Sequence, residues 1–120
     1  MSQYKIFHVL GLMSGSSLVG LDIAHCMFQI STEGKIAVDS WEIVNGTTTP
    51  YSEEWQERLK ELPSGNALDI AKADGQLGQY MGELVKTYIT SSGELFDFIA
   101  SHGHTIFPVS YTHLTLPTKA

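Results

Sequence analysis

Between Tyr4 and Ile30 the chain carries two apolar runs, YKIFHVLGLM and LVGLDIAHCMFQI, separated by the four small residues SGSS. This arrangement constrains the fold more than any other feature. Each run is short and rich in β-branched and aromatic residues, which suits a strand and not a helix. Tyr4–Met13 is nearly continuous in its apolar character, as expected of a central strand covered on both faces. The interruption at Ser14–Ser17 includes a glycine free to take positive φ and reads as a turn. A second strand is then expected from about Gly20 to Ile30, a turn at STEG (Ser31–Gly34), and a third strand over Lys35–Val44. Three strands in a meander follow from this order.

After NGTTTP, read as a loop, SEEWQERLKEL predicts a short helix. Ser52 is its N-cap, and Glu53 and Glu54 sit at the positive end of the helix dipole. A longer helix is expected to begin near Asn66, where Leu77, Tyr80, Met81, Leu84, Val85, Tyr88 and Ile89 recur at spacings of three and four. Gly75, Gly78 and Gly82 weaken it by about 1 kcal/mol each relative to alanine, which points to close packing against a sheet or a neighbouring backbone. ELFDFIAS, around Glu94–Ser101, predicts a fourth strand. The class is α/β, a β-meander followed by helices and a fourth strand.

Charge and length narrow the function. With 120 residues, one core is the ceiling, so a cleft between two domains would need a second half from elsewhere. Seven Lys and Arg against thirteen Asp and Glu give a net charge of -6 and no basic patch, which argues against nucleic acid or anionic lipid as a partner. The single cysteine, Cys26, cannot form an internal disulfide and reads as a small buried hydrophobe. Neither a signal peptide nor an apolar span of membrane length is evident, so a cytoplasmic location is expected. Trp41, Trp55 and the aromatic stripe of the long helix read as core. The last thirteen residues, PVSYTHLTLPTKA, contain no acidic group and resemble adaptor or vector translation; an ordinary disordered terminus is the alternative. The expected organisation is therefore a native portion, 1–107, and a non-native or disordered tail, 108–120.

The segment able to carry chemistry is GLMSGSSLVGLD, Gly11–Asp22. Backbone N–H groups in a glycine and serine turn can converge on an anion, and the hydroxyls of Ser14, Ser16 and Ser17 add donors without bulk. Asp22 could hold Mg²⁺ against the phosphates of a nucleotide. The alternative is a plain hairpin with its serines in solvent. Known loops fail on register. Leu21 and Asp22 stand where a Walker A loop needs Lys and Ser/Thr, and Val19 stands where a nucleophile elbow centred on Ser17 needs glycine. His102 and His104 form an HxH pair that would share one face of a strand and could share a metal. With His8, His25, Cys26 and His113 scattered and a third ligand wanting, no metal site is assigned.

GLMSGSSLVGLD resembles the GLMSGTSLDGxD signature of the anhydro-N-acetylmuramic acid kinases. ASHGHTIF, Ala100–Phe107, is similar to that family's SHGxTxxH segment, and LGQYMGELV lies between them much as the family's helix does. The resemblance runs from about Tyr4 to Phe107. It implies an actin-like ATPase fold, two ribonuclease-H-like domains closing around ATP, of which this chain would supply the first part. It also implies an activity. Such kinases use ATP and Mg²⁺ to open the 1,6-anhydro ring of 1,6-anhydro-N-acetylmuramic acid with water, phosphorylating it to N-acetylmuramic acid 6-phosphate in peptidoglycan recycling. A homodimeric parent is one option.

By the same resemblance, Gly15, Ser16, Ser17, Leu18, Val19, Gly20, Leu21 and Asp22 fall on the ATP-binding signature. Ser16 keeps the hydroxyl of the family threonine; Val19 removes a carboxylate. His102, Gly103 and Thr105 would border the sugar pocket, the alternative being a strand-end turn with His104 exposed. The family's catalytic aspartate lies beyond this stretch, so no catalytic residue is assigned here. The competing readings are a sugar kinase of altered substrate, a noncatalytic nucleotide-binding module, and an inactive truncated chain prone to aggregate through exposed strands.

Overall fold

A computed structural model describes residues 3–14, 19–104 and 106. The elements run β1 (Tyr4–Ser14), β2 (Gly20–Ser31), β3 (Ala37–Pro50), α1 (Glu53–Glu61), a 3₁₀ turn (Leu62–Ser64), α2 (Ala67–Ser92) and β4 (Phe98–His104). The sheet order is β3-β2-β1-β4. β1 pairs antiparallel with β2, from Tyr4 opposite Ser31 to Ser14 opposite Leu21, and β2 continues antiparallel to β3. β4 returns after the helices to lie parallel to β1, Leu10 beside Ile99 and Leu12 beside Ser101. This is the expected mixed α/β architecture, a meander followed by helices and a fourth strand.

β1 is central, as its unbroken apolar run requires, but among the described residues only one of its faces is covered. On that face Leu10, Leu12, Leu21 and Ile23 meet Tyr51, Leu59, Leu62, Ala73, Leu77, Met81 and Val85 from the helical layer. Leu10 and Leu21 are fully excluded from solvent, each stabilising the fold by about 1.5–3 kcal/mol. The opposite face is open, so Cys26 is half-buried, less enclosed than expected.

Both helices start where their caps dictate. The Ser52 hydroxyl accepts from the Trp55 N–H at 3.2 Å. Asn66 and Asp69 exchange hydrogen bonds, at 2.8 Å to the Asn66 side chain and 3.1 Å to the Asp69 carboxylate, forming a reciprocal cap. α2 ends at Gly93, whose φ of 71° is the left-handed conformation that glycine adopts without penalty. Its periodic stripe does face the sheet: Leu77, Met81 and Val85 are buried, with Tyr80, Leu84, Tyr88 and Ile89 packed around them.

Four local expectations are corrected. NGTTTP is strand and not loop, because β2 offers its backbone as far as Gly20 and the threonines suit an extended edge; Pro50 ends the strand, where its missing N–H costs nothing. β4 begins at Phe98, four residues later than expected, because the Gly93 cap and the Asp97 N–H to His8 carbonyl bond (2.7 Å) occupy the preceding stretch. Trp41 is 63% exposed on the outlying β3, beyond the reach of the helices, and is not core. Gly75, Gly78 and Gly82 approach no backbone: a Cβ at any of them would meet nothing within 4 Å. Gly78 and Gly82 instead line an open apolar hollow between α2 and the end of β4.

Candidate functional site

Those predicted site residues that the structure describes gather at one end of the sheet, where the carboxyl ends of the parallel strands β1 and β4 meet the start of β2. This is the end at which open α/β sheets hold ligands. Gly15, Ser16, Ser17, Leu18 and Thr105 lie outside the described residues. Val19, Gly20, Leu21, Asp22, His102 and Gly103 are placed at this end, together with Ser14 and His104.

Alternation along the strands divides these residues between two faces. Leu21 points into the core, while Asp22 lies on the open face and accepts a hydrogen bond from the Thr48 hydroxyl, 2.6 Å from its Oδ1. Gly20 is required by crowding. A Cβ there would overlap the Thr49 carbonyl oxygen and lie 2.9 Å from the Pro50 Cα, so only glycine lets β2 leave the segment this close to β3. Val19 is 52% exposed, and its carbonyl accepts from the Tyr51 N–H at 2.9 Å.

The two histidines of the HxH pair do not share a face. Gly103 has φ 81°, and the β1–β4 register slips between Leu12 and Ser14, so an extra residue is inserted opposite β1. This bulge reverses the alternation. His104 therefore joins Ser101 on the helical face beside Ser14, whereas His102 is exposed. Nor is His104 simply a solvent-exposed residue: its Nδ1 lies 2.7 Å from the Ser14 Oγ.

Ser14, read from the sequence as a donor to an anion, is 1% exposed and already engaged. The Tyr51 hydroxyl donates to its Oγ at 2.5 Å. The imidazole tautomer sets which of Ser14 Oγ and His104 Nδ1 donates in their hydrogen bond. Burial favours the neutral imidazole, holding the His104 pKa below its ordinary value of 6.5 against a smaller opposing contribution from a hydrogen bond to the Ser14 backbone. Tyr51 is 3% exposed. Burial pushes its phenol above 10.0, opposed by the bond to Ser14 and reinforced by the nearby Tyr80 and Asp22. Its carbonyl accepts from Gln56 at 2.9 Å and its ring packs 5.7 Å from that of Tyr80, which fixes it to the helical layer. Tyr51 was not legible as a site residue; the one available signal is an aromatic with a polar tip between a strand end and an N-cap serine.

At the far end of the sheet His8 and His25, scattered in sequence, come together, Nδ1 to Nε2 at 2.9 Å, with Phe96 edge-on to His25. Among the described residues no group of three His, Cys, Asp or Glu side chains is placed to hold a metal ion. No helix among them is long and apolar enough to cross a membrane.

The two motif segments thus touch through Ser14 and His104, and comparison with known proteins identifies the pattern. The family model described as "Anhydro-N-acetylmuramic acid kinase" matches residues 7–117. The chain belongs to the anhydro-N-acetylmuramic acid kinase family. An anhydro-N-acetylmuramic acid kinase of Pseudoalteromonas translucida (strain TAC 125) is 30% identical over 105 residues, 82% of this chain and 25% of the relative. One from Bacillus thuringiensis (strain Al Hakam) is 27% identical over 108 residues, 85% of this chain and 27% of the relative. The chain therefore spans about a quarter of the length of these relatives. Its four-stranded sheet with helices is consistent with half of an actin-like ATPase domain.

Proposed function

We propose that this chain is the N-terminal part, over residues 1–107, of the first domain of an ATP-dependent sugar kinase. The intact enzyme would open the anhydro ring of 1,6-anhydro-N-acetylmuramic acid with water and phosphorylate the sugar to N-acetylmuramic acid 6-phosphate, in the cytoplasm. One observation carries the reading: the Gly11–Asp22 signature and the ASHGHTIF segment, distant in sequence, are joined by the Ser14–His104 hydrogen bond at one end of the sheet. A kinase needs that juxtaposition, because phosphoryl transfer depends chiefly on positioning the nucleotide and the accepting hydroxyl.

Residues 15–22 would receive the phosphates and His102, Gly103 and Thr105 the sugar. Asp22, a carboxylate on the open face hydrogen-bonded by Thr48, would supply one oxygen ligand to Mg²⁺, a hard cation that prefers such ligands. Mg²⁺ bound there would neutralise phosphate charge. No general base is assigned within this chain, so it is expected to bind nucleotide without turning it over.

Equilibrium dialysis of the chain against ATP and Mg²⁺, with and without the anhydro sugar, tests this. Expected are ATP retention, at least tenfold weaker binding in Asp22→Asn, and no ADP release. Failure to retain ATP refutes the nucleotide reading, and ADP release that requires the sugar would show that the chain catalyses alone. A second reading, a noncatalytic nucleotide-binding module, is favoured by Val19 in place of the family aspartate. It predicts that restoring the carboxylate in Val19→Asp, at a half-exposed position, leaves Mg²⁺-dependent ATP affinity unchanged, whereas the kinase reading predicts a gain.

A further inference from the structure

The sheet face turned away from the helices is apolar and, among the described residues, bare. Strand pairing and alternation arrange it in rows that run across the strands. One row is an aromatic ridge, Phe7 beside Phe28 beside Trp41, the last of them 63% exposed. The next row holds Phe98, Val9, Cys26 and Ile43. Beyond it a trough of small residues, Ala100, Gly11, Ala24 and Gly46, crosses the whole sheet. Lys5, its ammonium 5.5 Å from the centre of the Phe7 ring, flanks the ridge, and Asp22 flanks the trough. We infer that this face is a self-complementary dimer surface, on which a second copy of the chain lays its ridge in the trough and receives the first copy's ridge in return.

Shape, charge and area agree on this occupant. Sheets that stack face to face keep their strands nearly aligned, and their inner side chains interdigitate. A two-fold axis lying in the interface along the Val9–Cys26–Ile43 row, at right angles to the strands, sets each strand antiparallel to its own copy. Phe7 then meets the partner's Gly11, Phe28 the partner's Ala24 and Trp41 the partner's Gly46. Large side chains opposite small ones fill the space between two layers without voids. The same operation brings Lys5 beside the partner's Asp22, so opposite charges meet at both ends of the interface. An axis along the strands would instead set ridge on ridge and the two Lys5 ends together. Four strands about 4.8 Å apart, over a length of roughly 30 Å, present about 570 Å² per copy, so a pair clears the ~1,000 Å² that a specific interface needs. Because the two-fold consumes the face on both copies, association stops at two.

Sedimentation equilibrium of the 120-residue chain, at concentrations up to about 100 µM, should show monomer and dimer in exchange with a micromolar dissociation constant. Trp41→Lys replaces a side chain that is exposed in the single copy, so far-UV circular dichroism should be unchanged while dimerisation weakens at least about tenfold. Lys5→Asp should also weaken it, and adding Asp22→Lys to that variant should restore it. Ile99→Lys is the control, an exposed apolar residue on the helical face, and should leave the dimer intact. Cys26, half-buried in the single copy and central in the interface, should react more slowly with a soluble maleimide as the dimer forms. A chain that stays monomeric throughout overturns the proposal and leaves the face to a segment of a longer chain. Growth beyond the dimer overturns the closed two-fold, and so does a double exchange that fails to restore association. If Ile99→Lys weakens the dimer as much as Trp41→Lys, the interface lies on the helical side and the proposal falls.

Discussion

Replacing Gly20 with alanine should be among the most damaging single-methyl changes in this chain. The added Cβ would overlap the Thr49 carbonyl oxygen and lie 2.9 Å from both the Thr49 carbonyl carbon and the Pro50 Cα. All three atoms are backbone, so no rotamer relieves the clash. With carbon contacts comfortable near 3.5–4.0 Å, β2 and β3 must part by roughly 1 Å at this end. Overpacking of this kind costs about 1–3 kcal/mol, and opening the ladder weakens the neighbouring Tyr51 N–H to Val19 carbonyl bond, worth about 1 kcal/mol. The expected loss is thus about 2–4 kcal/mol, a large part of a small domain's 5–15 kcal/mol. Gly46→Ala is the control: it lies in the neighbouring strand, where a Cβ would meet only the Ile23 carbonyl oxygen, 4.0 Å away. There alanine should be neutral or stabilising by up to about 1 kcal/mol, since glycine is the poorer strand residue. Urea unfolding followed by circular dichroism gives both values from midpoint and slope. A difference between the two variants below about 1 kcal/mol would show that the β2–β3 approach yields easily, and the crowding argument would fail.

Other outcomes follow from the same contacts. Asn66→Ala removes the oxygen that accepts from the Asp69 N–H and should cost about 1 kcal/mol, read as a fall in Tm of about 4–8 °C. On the acid side, His104 resists protonation in the folded state while the unfolded chain takes a proton near 6.5, so stability should fall as pH drops below that value; His104→Gln should flatten that limb of a plot of unfolding free energy against pH. On the alkaline side, the raised Tyr51 pKa keeps the folded state protonated where the unfolded chain ionises, so stability should fall as pH rises above about 10, and Tyr51→Phe should remove that contribution.

Much of the fold was legible along the chain because its signals are local. Apolar runs marked β1 and β2, the spacing of Leu77, Met81 and Val85 marked the face of α2, and Ser52 and Asn66 marked the helix starts through bonds to residues three positions away. Where the sequence reading missed, a distant partner had decided the outcome. NGTTTP reads as loop by composition, yet β2 pairs with it as far as Pro50; β4 starts at Phe98 because that is where β1 receives it in parallel register. The glycines of α2 suggested a tight packing seam, but composition carries no information about which space a neighbour fills.

The candidate site divides in the same way. The Gly11–Asp22 signature and the histidine segment were visible as motifs, since their residue types and order carry the chemistry without reference to a partner. Tyr51 was not, because it acts on Ser14 from 37 positions away, and Ser14 reaches His104 from 90. The sequence by itself determined most of the segments that extend or coil, and the order of hydroxyl and carboxylate residues along Gly11–Asp22. Only the tertiary structure decided that Ser14 meets His104, that the Gly103 bulge sets His102 and His104 on opposite faces, and that Tyr51 bonds both Ser14 and the Val19 carbonyl. The physical reason is that strand and helix propensities act over a few residues, whereas register, bulges and buried hydrogen bonds are fixed when chain segments far apart in sequence compete for the same few ångströms.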